Sequence, residues 1–73
     1  MRYHIPVVDK IDIYRCAALF IEQHGEDAII EAAIVADAML EKGDMDGLRV
    51  WKAIGRAIDE LQREDLRDGE RVN

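Results

Sequence analysis

An all-α fold, a three-helix bundle-like domain with an extended N-terminal arm, follows from three observations on the sequence. Apolar residues recur at three- and four-residue spacing over three segments. Glycines at positions 25 and 43 separate those segments, and the single proline lies at position 6, ahead of all of them. The 73 residues make one domain, which divides into an arm over 1–11, helices over 12–64 and a flexible polar tail over 65–73.

In the arm, Met1, Tyr3, Ile5 and Val7 alternate with Arg2, His4 and Pro6, the period of an extended segment with one apolar side. Pro6 confines any strand to an edge, and a lone strand is unstable in water. The arm is therefore expected to lie on the helices or to pair with a second copy of itself.

Asp9 or Asp12 is placed to cap helix 1, which runs from Ile13 to His24 without a breaker until Gly25. At 100° per residue, Ile13, Tyr14, Ala17, Phe20 and Ile21 share a face, while Arg15 and Glu22 mark a narrow opposite one, so helix 1 is expected to be mostly buried. Glu26 and Asp27 place negative charge at the amino end of helix 2, where the macrodipole favours it. Helix 2 runs to about Lys42 and Gly43 closes it; Asp44 or Asp46 opens helix 3, which continues to about Glu64. Along helix 3, Val50, Trp51, Ile54, Ala57, Ile58 and Leu61 fall on one arc and Arg49, Lys52, Arg56, Asp59, Glu60 and Arg63 on the other, giving a core face and a solvent face.

Helix 2 departs from that two-faced pattern. Its main apolar arc holds Ala28, Ile29, Ala32, Ala33, Val35, Ala36, Met39 and Leu40, whose alanines permit close approach by neighbouring helices. On the other arc Ile30, Ile34 and Ala38 run at i, i+4 and i+8, flanked by Glu26, Asp37 and Glu41 on one side and Asp27, Glu31 and Lys42 on the other. An apolar stripe edged with charge has the character of a binding surface. It is covered either by a partner or by the arm of the same chain. A chain this short favours the partner, since a single core buries only about 60% of the surface its unfolded form exposes.

Composition narrows the chemistry. Cys16 is the one cysteine, which excludes an internal disulfide and a thiolate cluster for zinc; its neighbours Ala17, Ala18 and Leu19 make it a small buried hydrophobe in expectation. Serine and threonine are absent, which excludes hydrolase triads built on those nucleophiles. The net charge of −6 is concentrated in residues 26–46, which carry seven acidic side chains and one basic, so direct binding to nucleic acid is not expected. The amino-terminal residues lack the apolar run of a signal peptide, and no stretch approaches the roughly 20 apolar residues that span a bilayer. A cytoplasmic protein with no membrane contact is expected.

The run His24-Gly25-Glu26-Asp27-Ala28, followed by Glu31-Ala32-Ala33, Ala36-Asp37, Leu40, Gly43-Asp44, Gly47, Val50-Trp51, Ile54, Ala57-Ile58 and Glu60-Leu61, resembles a family of short bacterial proteins of unknown function, mostly alphaproteobacterial. The resemblance covers about residues 13 to 63. It implies a helical protein and carries over no catalytic residue. Val35 stands where that pattern often has a basic residue. A fainter likeness to one helical hairpin of the tetratricopeptide type reflects shared packing logic, because no 34-residue period is present.

His24, Glu26 and Asp27 read as turn and capping residues, since no second histidine stands at ligand spacing. Asp44-Met45-Asp46-Gly47 resembles the opening of a calcium loop, but Arg49 stands where that loop needs glycine and Gly55 where it needs glutamate. Asp37, beside Ile34, is expected to pair with Arg15 or with an arginine of helix 3, and Asp59–Arg63 and Arg56–Glu60 pairs are expected along helix 3. Trp51 reads as a core anchor. The sum is an expectation of a non-enzymatic interaction module that needs no metal or cofactor. It self-associates as a homodimer through an interface of Ile30, Ile34, Ala38, Asp37 and Glu41, and its partner in the cell is another, unknown protein. The alternative is an acidic inhibitor or adaptor that occupies a basic groove of another protein with Glu26, Asp27, Glu31, Asp37 and Glu41.

Overall fold

A computed structural model describes the backbone of residues 9–72 and the side chains of residues 9–64. Helix α1 spans Lys10–His24, a short 3₁₀ turn spans Gly25–Asp27, α2 spans Ala28–Lys42 and α3 spans Met45–Val72. The described residues are helical with no strand, as the periodicity predicts. The expected extended segment Met1–Val7 lies outside the described residues.

Three boundaries differ from expectation. Helix α1 starts at Lys10, ahead of the expected boundary at residue 12, with the Asp9 carbonyl accepting the Ile13 amide at 3.0 Å; the Asp9 carboxylate makes no capping bond. Helix α2 is preceded by the 3₁₀ turn, so Glu26 and Asp27 sit in the turn that leads into its amino end. Helix α3 continues to Val72 through what was expected to be a flexible tail. Residues 65–72 include the good helix formers Leu66, Arg67, Glu70 and Arg71 beside the weaker Asp65, Asp68, Gly69 and Val72, and an established helix propagates more readily than a new one starts.

The α2–α3 connection is two residues long and fully explained by hydrogen bonds. Gly43 takes a left-handed conformation at φ 78° and ψ 18°; its amide donates to the Leu40 carbonyl and the Asp44 amide to the Met39 carbonyl, which closes a Schellman motif. Asp44 then opens α3, its Oδ1 accepting the Gly47 amide at 2.9 Å. At the other corner Gly25 has φ 58° and ψ −128°, a region closed to side chains with a Cβ, and its carbonyl accepts a hydrogen bond from Gln62 Nε2 at 3.0 Å. No atom stands within 4 Å of a Cβ added at either glycine, so substitution costs are purely conformational. Gly43→Ala is expected to lower stability by about 1 kcal/mol and Gly25→Ala by about 1–3 kcal/mol. Urea unfolding checks the order, and equal stability of Gly25→Ala and the parent would contradict the turn geometry.

Helix α3 is the spine: α1 and α2 both pack on it and touch one another little. The core joins Ile13 and Ala17 of α1, Ala28 and Ala32 of α2, and Ile54, Ala57 and Ile58 of α3, with Tyr14, Phe20, Ile21, Trp51 and Leu61 around it. Phe20 meets Trp51 edge to face at 5.3 Å, which anchors α1 on α3. The alanines let α2 lie close against α3, but they bring little apolar area, at about 0.8 kcal/mol per buried methylene-sized group. Ile58 is the one large side chain among the described residues to be fully enclosed. A radius of gyration of 14.1 Å, against about 11 Å for a compact chain of this length, agrees with an open arrangement extended along α3.

The open arrangement corrects two expectations. Helix α1 buries one stripe only; Ile11 and Leu19 are exposed, and so is Cys16, which was expected to be buried. Helix α2 buries Ala28, Ala32 and Ala36, while Ile29, Ala33 and Leu40 of the expected core arc face outward. The cause is shared: among the described residues each of these helices has α3 on one side and little on the other, so burial narrows to a single line of residues.

Candidate interaction surface

Among the described residues, helix α2 presents the largest accumulation of uncovered apolar side chains. Ile30 and Ile34, one turn apart, are 60% and 55% exposed, and Leu40 is 54% exposed. Ala38, the third member of the expected stripe, is half-buried, while Asp37 and Glu41 on its flank are exposed. The Ile30-Ile34 stripe therefore stands outward as its spacing requires. It also continues round the helix: stepping 100° per residue places Asp37 between the stripe and a second apolar flank made by Ile29, Ala33 and Leu40.

Ile29 and Ala33 of that second flank form one wall of a groove of about 480 Å³ between α2 and α3. Ile29, Ala33 and Asp37 line it on the α2 side and Trp51, Lys52, Gly55 and Arg56 on the α3 side. Sequence reasoning assigned Ile29 and Ala33 to the core and so missed the groove. The available signal is the contrast between the alanines at 28, 32 and 36, which fit a close crossing, and the bulky Ile29 and Leu40, which do not.

Charge on this surface is largely uncommitted. Arg15 pairs with Asp12, Arg49 with Asp46 and Arg63 with Asp59, the last at 2.7 Å. Among the described residues Asp37 has no ion pair, and neither do Lys52 and Arg56, although the three line the same groove. Two expectations are thereby corrected. Among the described residues Asp37 pairs neither with Arg15, which meets Asp12 on its own helix, nor with Arg49, Arg56 or Arg63 of α3. The Asp59–Arg63 pair forms, but Glu60 does not pair with Arg56; its Oε1 accepts the Tyr14 hydroxyl at 2.5 Å across the α1–α3 contact.

The Tyr14–Glu60 bond raises the tyrosine pKa above 10.0, chiefly through the hydrogen bond itself, then through loss of hydration and through repulsion from the Glu60 and Glu64 charges. The folded state thus holds the phenolic proton more tightly than the unfolded one. The stabilisation is complete below pH 10.0 and disappears as the pH rises through the raised value. Alkaline unfolding should therefore steepen above about pH 10 in the parent and less so in Tyr14→Phe. A tyrosinate absorbance titration should likewise lose its more alkaline component in that variant, and unchanged curves would contradict the bond.

Among the described residues no group of three or more histidine, cysteine, aspartate or glutamate side chains is placed to hold a metal, and no helix is long and apolar enough to cross a membrane. The chain matches no family model, no curated protein and no solved structure. Geometry and chemistry of the surface alone carry the functional reading.

Proposed function

We propose that the protein is a helical interaction module that self-associates as a homodimer through the outward face of α2, with Ile30 and Ile34 at the centre of the contact. The observation that carries this reading is the exposure of both isoleucines on a helix whose inner line is mostly alanine. Ile29, Ile30, Ile34 and Leu40 of α2 stand outward while Ala28, Ala32 and Ala36 face the fold, the reverse of what an isolated monomer needs. A second copy laying its own α2 on this face supplies the missing apolar contact, and a two-fold axis makes one patch serve both copies.

Ile34→Glu sets an unpaired carboxylate in the buried contact. It is expected to weaken association by at least about a hundredfold while leaving the helical content of the monomer unchanged. Light scattering across micromolar concentrations checks it: dimer mass for the parent and monomer mass for the variant are the supporting outcome, and a parent that stays monomeric removes the proposal.

A second reading, the acidic adaptor, draws on one observation. Glu26, Asp27, Asp37 and Glu41 are exposed, and among the described residues none is in an ion pair. It requires capture of a basic protein that weakens steeply with added salt, and salt-insensitive capture would count against it.

A further inference from the structure

We infer that the self-association surface extends past the Ile30-Ile34 stripe into the α2–α3 groove, and that crossed pairing of Asp37 with Lys52 and Arg56 of a second copy fixes the register of the dimer. The inference rests on the self-association reading and adds to it where the two-fold axis lies and what selects it.

Three facts point to a second copy as the occupant. The groove offers an apolar wall, Ile29 with Ala33, continuous with the stripe across Asp37. Its two rims carry opposite signs, Asp37 on α2 and Lys52 with Arg56 on α3, and none of these charges is used within the described chain. The fourth charged residue of the lining, Asp59, is already held by Arg63 and does not compete for them. A patch that carries both signs either side of an apolar strip is complementary to itself: rotation by 180° sets the negative rim of one copy on the positive rim of the other, twice per dimer. A basic partner would be repelled by Lys52 and Arg56 and an acidic one by Asp37, so a second copy is the ligand whose chemistry satisfies both rims. Gly55, in the lining, has no side chain and open space where a Cβ would stand, which leaves room for an approaching helix.

The test is a charge exchange between two variants. Asp37→Lys makes the groove rims wholly basic, and the double variant Lys52→Glu with Arg56→Glu makes them wholly acidic. Each alone is expected to self-associate about tenfold or more weakly than the parent, because two sets of like charges then face one another. An equimolar mixture is expected to regain a complex of dimer mass, measured by sedimentation velocity, and added salt should weaken that complex. Both variants remain net acidic, so their re-association reports local pairing rather than attraction of whole molecules. Should Asp37→Lys lose its helical circular dichroism, Asp37→Asn replaces it, with a smaller weakening and a loss of salt dependence as the expected result. If both variants dimerise as the parent does while Ile34→Glu does not, the groove inference falls and the stripe reading survives. A mixture that fails to reassociate overturns the crossed pairing, and a monomeric parent overturns both.

Discussion

Ile58→Ala is expected to leave much of the protein unfolded at room temperature. Ile58 is 0% exposed and is the one large side chain among the described residues with no contact to solvent, in a buried cluster with Ile13, Ala17, Ala28, Ala32, Ile54 and Ala57. Truncating a buried isoleucine to alanine costs about 2–5 kcal/mol through lost transfer energy and the cavity left behind. The upper part of that range applies here, since four of the six other buried residues of the cluster are alanines, which cannot swing inward to fill space. A domain of this size holds roughly 3–5 kcal/mol of net stability from its core, so the loss is comparable with the whole. Urea unfolding followed by circular dichroism measures it. A loss below about 1 kcal/mol would mean that the core lies elsewhere.

Ala32→Leu has the second largest expected effect, with the opposite cause. Ala32 is 1% exposed at the crossing of α2 with α3, where the absence of a side chain beyond Cβ sets the distance between the helices. Leucine there must push α2 off α3 or adopt a strained rotamer, at about 1–3 kcal/mol. Displacement of α2 also disturbs the line of contacts at Ala28 and Ala36, so the upper end is expected. Ala18→Leu, on the exposed side of α1, serves as the matched control, because the same atoms are added where nothing resists them. Equal stability of the two variants would contradict the close crossing.

The contrast between Ala32 and Ile34 also shows what was legible in the sequence. The partition of α3 into Ile54, Ala57 and Ile58 against Lys52, Arg56 and Arg63 was readable because a helix packed along one side obeys its own period. The ends at Gly25 and Gly43 were readable because positive φ selects glycine, and Asp44 because a free helix amide selects an acceptor. The outward pointing of Ile30 and Ile34 followed from their spacing. What escaped was the number of neighbours each helix has. Ile29, Leu40 and Cys16 were expected in the interior, whereas among the described residues α1 and α2 each lean chiefly on α3. Pairwise choices among nearby charges escaped as well: Glu60 meets Tyr14, forty-six residues away, in preference to Arg56 one turn away. Local periodicity fixes which side chains share a face, but tertiary placement decides how much of the face is covered.

That incomplete cover links the fold to the proposed function. A core of three isoleucines and five alanines among the described residues is thin, and the apolar side chains that would thicken it lie on the outside of α2. Association then stabilises the helices themselves, because a partner that binds only the folded chain draws the folding equilibrium toward it by mass action. The thermal midpoint as a function of protein concentration tests this most directly. A midpoint that climbs steadily with concentration in the parent, and stays level in Ile34→Glu, is the predicted result; a parent whose midpoint is the same at every concentration would contradict it.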